Sequence, residues 1–484
     1  MTWSLRALWH SPTFTTWGSL LVRLASVVAL LPVVLVRFTP AEVAVWQLLS
    51  ALFLLGLMLD YGLAPTFVRL LSYARAGMAP EAMGRIAGNR DTTATSATRS
   101  PEQALAALRR VIGSMHWLYP RLAWVVTGLL LGLGSWALLR PVSQVPQPLH
   151  AWLAWAVVML SFQVALWGGL FGAALQGMNR IAELRRWEIA FGLLQVLTSV
   201  VALAFGAGIL ELLAVYQLWT VLGIWRNARL LARLHPDIAS APTLPDPAVL
   251  AAARSPAWRS VVGVLCSTGV IQLSGVYYSQ ILPAAQVASW LLALRLAMVV
   301  SQFSQAPLYT KLPWMAEQHA AGRRDDVLAA ASRGMRLSHI VFVMGALAAA
   351  IAAPPLLAWV DSQTAFVSGP VFAVLALAFF AERLGAMHIQ LYSLTNHVVW
   401  HIANGITGAI VIGLTLVLGP ELGLMAFPLA MLAGYAGFYV PYAMHRSRRA
   451  FSLPLLTFER RASLLPALAL GVGMAISLAW TGGR

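Results

Sequence analysis

One cysteine, few charges and fewer acids set the first limits. Cys266 has no partner in this 484-residue chain, so neither an intrachain disulfide nor a thiolate metal site can form. Charged residues make up only 10% of the chain and Asp plus Glu number 17, against 59% hydrophobic residues. That balance lies far outside the range of a soluble globular domain, so water is not the main solvent. The sequence also lacks a Gly-rich phosphate loop, a GxSxG elbow and paired catalytic carboxylates. Among His339, His388, His397 and His401 only the last two share an i,i+4 spacing, at a membrane edge with no acid nearby. No metal, no cofactor and no ATP coupling within the chain are expected.

What is abundant is apolar sequence and positive charge. The formal net charge of +16 would suggest nucleic acid in a soluble protein. In a multi-pass protein it instead marks loops that face anionic cytoplasmic lipid, so membrane lipid is the expected partner and nucleic acid is not. Nineteen Trp suit two membrane interfaces, although core packing accounts for such residues equally well. Apolar runs long enough to cross about 30 Å of hydrocarbon fall at 17–36, 43–71, 117–139, 152–175, 187–205, 209–225, 261–282, 287–312, 340–360, 367–394, 398–418, 422–442 and 464–480. The first is too long for a signal-peptide core and is read as a retained span.

The cations test this span count independently. With the N-terminus in the cytoplasm, alternate loops collect Arg75 to Arg110, Arg180 to Arg186, Arg226 to Arg259, Lys311 to Arg336 and Arg446 to Arg461. Only Arg37, Arg140 and Arg484 fall outside. The outer connections are all short, which excludes an outer catalytic domain. The polar, aperiodic segment 89–102 reads as a mobile loop without chemistry.

An internal repeat is visible. VAVW at 43–46 followed by LAPTFVRL at 63–70 is matched by VASW at 287–290 followed by QAPLYTKL at 305–312. The preceding spans open alike, Trp17-Gly18-Ser19 against Trp258-Arg259-Ser260. An even number of spans separates the copies, so the repeat is parallel. The expected architecture is all-α and polytopic: an N-lobe over 1–230, a cytoplasmic linker over 231–255, a C-lobe over 256–444, and a basic loop with one extra span over 445–484. Pro65 and Pro307 are expected to kink the matched spans.

The second span ends Leu59-Asp60-Tyr61-Gly62-Leu63, then Val68-Arg69-Leu70-Leu71-Ser72, and Leu175-Gln176-Gly177-Met178-Asn179-Arg180 follows the fourth. With the two-lobe layout, these residues resemble the polysaccharide-transporter branch of the multidrug/oligosaccharidyl-lipid/polysaccharide exporter superfamily, the flippases of undecaprenyl-diphosphate-linked repeat units. The resemblance implies a bacterial inner-membrane transporter rather than an enzyme, working by alternating access, with a central cavity bordered by the first two spans of each lobe and arginines that grip diphosphate. It further implies H+ or Na+ as a coupling ion, and a polysaccharide polymerase and export machinery as partners. Family members commonly have twelve or fourteen spans, so a thirteenth departs from the pattern. The alternatives are an ion-coupled drug exporter of the same superfamily, expected to place a carboxylate where this chain has Arg23, and a membrane polymerase or ligase, which would need a larger outer loop.

Ionisable groups deep in a span are costly and mark function by default. Arg23, Arg295 and Arg383 are the candidate substrate ligands; Asp60 and Glu382 are the candidate coupling residues. Arg23 aligns with Val264 and Arg295 with Ala51 across the repeat, so neither belongs to the shared scaffold. A guanidinium fork suits phosphate because it binds bidentately and stays charged when desolvated. Arg23 and Arg295 could instead each serve an internal salt bridge, Arg23 with Asp60 for example, and Asp60 a structural role near a helix end. Glu382 and Arg383, adjacent on one helix, are expected to face different ways. Gln163, Gln195, Gln272, Gln302 and Gln305 suit either sugar hydroxyls or helix–helix bonds.

Overall fold

The computed structural model describes residues 12–87, 100–395, 397 and 399–482, without the side chains at 12–14, 16–17, 20–21, 23–28, 84–87, 320, 455 and 480–482. Among the described residues every regular element is helical. The chain divides into two compact units, Met1–Leu265 and Cys266–Arg484.

The first unit contains α1 (Pro12–Arg37), α2 (Pro40–Arg75), α3 (Pro101–Val142), α4 (Pro148–Gly177), α5 (Ile181–Ala204), α6 (Ile209–Leu234) and the start of α7 (Pro247–Ile281). The second holds the remainder of α7, then α8 (Ala284–His319), α9 (Arg324–Trp359), α10 (Gly369–Ser393), α11 (Trp400–Leu422), α12 (426–451) and α13 (Leu456–Ala479). Among the described residues eleven helical stretches are long and apolar enough to span. One of them, Trp400–Phe451, runs for 52 residues, more than twice what a bilayer needs. Gly423 (φ 51°, ψ −126°) ends α11, and α12 folds back against it, so this stretch is a hairpin of two spans. With the hairpin counted as two helices and α1 added, thirteen helices of membrane length stand among the described residues, and the protein is multi-pass.

Several helices start by one device: α2, α3, α4 and α7 open on Pro40, Pro101, Pro148 and Pro247, where a missing N–H costs nothing. Thr39, Ser100 and Asp246 cap three of them, and at Thr39 the Glu42 carboxylate returns the bond to the Thr39 amide at 2.9 Å.

The same packing pattern occurs in both units. In the first, α4 packs on α2 and α6, and α3 on α2; in the second, α10 packs on α8 and α12, and α9 on α8. The repeated Val-Ala-x-Trp motif is buried in both copies, with Trp46 4% and Trp290 0% exposed. Trp290 donates its indole N–H to Ser274 Oγ at 3.1 Å and meets Tyr278 and Phe427 edge-on. The Tyr278 hydroxyl donates to the Leu424 carbonyl and accepts from the Phe427 amide, both at 3.0 Å, which fastens α7 to the α11–α12 hairpin.

Three expectations need correction. The segment 231–255 is no linker: Leu231, Ile238, Ala241, Val249, Ala252 and Ala253 belong to the first unit's core. A short helix, Pro236–Ala239, and the run after it lie along α3, where Arg109 donates to the Asp237 carbonyl at 2.8 Å and Ser114 Oγ accepts from the Asp246 amide at 3.0 Å. A Cβ on Gly113 would come within 2.5 Å of the Pro242 carbonyl, so glycine permits this approach. Secondly, α3, α6 and α9 extend past the apolar runs, so residues assigned to basic loops, Arg109, Arg226 and Arg333 among them, stand on helices. A hydropathy window detects the stretch that needs lipid and misses the amphipathic extension beyond it. Thirdly, α2 continues through Pro65, held by buried Leu63, Thr66 and Phe67 on either side, whereas the regular helix of α8 is interrupted around Pro307, at 305 and 310–311. Most of the expected loop 89–102 lies outside the described residues, as does Arg484.

Candidate functional site

In the first unit, α2 carries Asp60 well inside its length, not at an end, and the side chain faces a cavity of about 360 Å³ bounded by α1, α2, α4, α5 and α6. Asp60 Oδ1 accepts from the Tyr119 hydroxyl at 2.9 Å, and Tyr119 is fully buried. A Cβ on Gly169 would sit 2.5 Å from Asp60 Oδ2, so only glycine there leaves the carboxylate its place. The Arg185–Glu188 ion pair (2.6 Å) and Asn227 line the same space. Asn227 Oδ1 and Arg185 Nε are buried without hydrogen-bond partners. An acid, an unsatisfied amide oxygen and a paired cation thus line one cavity.

Sequence reasoning missed all of these companions. Arg185 reads as a loop charge, Glu188 draws no notice at the start of the run 187–205, and Tyr119 and Gly169 become informative only once α3 and α4 stand beside α2. Arg226 was also placed in a loop. It lies on α6, 9% exposed, over the rings of Trp187 and Phe191 (5.8 Å to each), with Nε and one terminal nitrogen unpartnered. The i,i+4 spacing from Trp225 to Arg229 hinted that this stretch is helical, and those two residues do stack. Arg23 stands on α1, but its side chain lies outside the described residues.

In the second unit the acid and base of α10 meet, contrary to the expectation that they face apart. Arg383, 4% exposed, contacts Glu382 Oε2 at 2.8 Å and donates to Ser301 Oγ at 2.8 Å. Tyr309 shares hydrogen bonds with Arg383 and Gln390. The three-methylene stem of arginine lets the guanidinium fold back toward its neighbour, although the Cβ atoms are about 100° apart on the helix. Tyr435 and Tyr439 close the other side, and Arg383 Nε stays unpartnered. Arg295 lies on α8, partly buried, roughly 16 Å from Ala284 at 1.5 Å per residue and so near the middle of a span.

His388 shares hydrogen bonds with Ser447 Oγ (2.8 Å) and Glu459 Oε1 (2.9 Å), and His339 with the Ala462 carbonyl (3.2 Å). Both histidines therefore tie the root of α13 to α9, α10 and α12. Gln163 and Gln195 take the helix–helix alternative, bonding Thr127 at 2.6 Å and the Tyr216 carbonyl at 2.8 Å.

No family model matches the sequence, and no curated protein matches it. Solved structures do share the fold. An inward-facing multidrug resistance MATE family transporter of the MOP superfamily superposes with a TM-score of 0.68 at 13% identity, over 90% of this chain and 95% of the other. The lipid II flippase MurJ in an inward closed conformation gives 0.59 at 12% identity, over 96% and 98%. The MATE multidrug transporter DinF-BH in complex with R6G gives 0.52 at 15% identity, over 90% and 96%. At such identities the likeness establishes the fold, which is that of MATE and MOP-superfamily transporters.

Proposed function

We propose that this chain is a flippase that carries undecaprenyl-diphosphate-linked oligosaccharide across the bacterial cytoplasmic membrane by alternating access, with its N-terminus in the cytoplasm. The observation that carries the reading is the cation at mid-span: Arg295 on α8, absent from the aligned position of the first unit, where Ala51 stands. A guanidinium held at that depth favours an anionic ligand, and diphosphate matches its fork. The overall fold is shared with a protein named as a lipid flippase. Arg23 is the second proposed ligand. Asp60 is the proposed coupling residue, since its cavity supplies a carboxylate with a fixed hydroxyl partner. Arg383 and Glu382 are assigned to each other, and the transported lipid feeds a polymerase and export machinery.

The similarity to MATE transporters, together with Asp60, favours a second reading, an ion-coupled exporter of drugs. One assay separates the two. Purified protein in liposomes is given a fluorescent prenyl-diphosphate oligosaccharide, and its leaflet is read by dithionite quenching; a cationic dye is tested in parallel. Movement of the glycolipid is expected, lost in Arg295→Ala and partly kept in Arg295→Lys. Dye extrusion without glycolipid movement would overturn the flippase. Asp60→Asn should remove any dependence on an imposed proton or sodium gradient, and an unchanged dependence rules Asp60 out.

A further inference from the structure

A second cavity, about 550 Å³, lies between the first turns of α9 and the start of α13. Its lining includes Arg333, Arg336, Arg461, Asp325, Thr457 and Phe458. Three guanidiniums thus face one carboxylate. Arg333 Nε is used on the Ala329 carbonyl at 3.2 Å, leaving its terminal nitrogens. Among the described residues no acid lies within ion-pair distance of any of the three arginines. Glu459 is engaged with His388, and the further cation Arg324 with the Phe451 and Ser452 carbonyls. Arg461 sits in a five-residue π turn, Arg460–Leu464, a local widening that re-aims side chains.

The surroundings are as informative as the charge. Positions 333, 336, 337, 340 and 344 follow helical spacing along one face of α9. The face begins with two arginines and continues as exposed Leu337, Ile340 and Met344, while Leu464, Leu465 and Leu468 are exposed on α13. A cationic cavity that opens onto two apolar stripes is the negative image of one molecule, an anionic headgroup with acyl chains. None of the lining residues is on α8 or α10, which carry Arg295 and Arg383.

We propose that this cavity is a binding site for an anionic glycerophospholipid of the cytoplasmic leaflet, its phosphate held by Arg333, Arg336 and Arg461 and its chains laid along the α9 and α13 stripes. Basic pockets between spans on the cytoplasmic side bind acidic headgroups for this reason. The site fastens the thirteenth span, which lies outside the repeat, to the lobe through lipid as well as through protein. It is independent of what the protein transports.

The test uses the full-length protein in detergent, with phosphatidylglycerol, phosphatidylcholine, a prenyl diphosphate and inorganic phosphate offered separately and in competition, bound lipid being counted by native mass spectrometry and stability by thermal melting. Wild type is expected to retain and be stabilised by phosphatidylglycerol and not by phosphatidylcholine. Retention should fall about fivefold for each arginine removed, so Arg333→Gln/Arg336→Gln/Arg461→Gln should lose it, and the corresponding lysine variant should keep part. If the triple variant is not monodisperse, the single variants Arg336→Gln and Arg461→Gln carry the same reading. Equal retention by wild type and variants overturns the site. Displacement of phosphatidylglycerol by prenyl diphosphate would give the cavity to the transported lipid, and displacement by inorganic phosphate would reduce it to an ion site; either result overturns the proposal.

Discussion

At the scale of the residue, the second unit turns on one ion pair. Breaking a buried pair by removing one partner leaves an uncompensated charge, which costs about 3–5 kcal/mol. Arg383→Ala strands the Glu382 carboxylate, so its main effect should be loss of folded protein, seen as a large drop in melting temperature in detergent. Arg383→Met combined with Glu382→Gln removes both charges at similar volume and should recover most of that loss. A stable Arg383→Ala protein that fails to transport would instead return Arg383 to the ligand set. Arg295→Ala should abolish transport, because its proposed ligand is the diphosphate, and glycolipid movement by this variant would remove Arg295 from the ligand set.

At the scale of the element, two junctions are informative. Gly423 holds the α11–α12 hairpin at φ 51°, ψ −126°, a conformation open to glycine and strained for any residue with a Cβ. Gly423→Ala should cost about 1–3 kcal/mol, and thermal unfolding reads it; an unchanged midpoint would show that the hairpin relaxes. The other junction is Arg110 of α3, which binds both Glu81 of the short helix Pro80–Ala87 and Asp246, the cap of α7. The Arg110 hydrogen bond holds Glu81 below the ordinary carboxylate range. Burial pushes Asp246 up, but Arg110 and the first amides of α7 outweigh it and leave it low. For carboxylates lower in the folded state, the stabilisation is present above their unfolded pKa near 4 and fades as pH falls through the folded values. Protease cleavage within 235–246 should stay flat from pH 8 to about 5 and rise only below about 4. Asp246→Asn keeps a cap but loses the charge pairing, and should flatten that rise; an identical pH profile would discount the junction.

At the scale of the whole molecule, orientation is the open quantity, and cation placement decides it. A reporter active only in the cytoplasm should work after Arg99, Arg254 or Arg333 and fail after Arg140 or Ser362. Activity at either of the last two would invert the span count, and with it the leaflet assigned to the lipid cavity.

The sequence by itself determined what can be computed along the chain. Apolar length marks thirteen candidate spans, and the described residues hold thirteen helices of membrane length once the stretch Trp400–Phe451 is divided at Gly423. Matching motifs around Trp46 and Trp290 announced two units of like packing, because a buried indole constrains its neighbours equally in both. The candidates Asp60, Arg295 and Arg383 were legible because a charge in an apolar run stands out without any neighbour being known. Only the tertiary structure decided their company. Tyr119 reaches Asp60 across 59 positions and Ser301 reaches Arg383 across 82, and no periodicity encodes which helix faces make contact. The arginines of the lipid cavity, spread from 333 to 461, passed as ordinary loop charge for the same reason. The core role of 231–255 was hidden as well: its burial depends on α3 extending below the membrane, where hydropathy no longer distinguishes a packed helix from a loop.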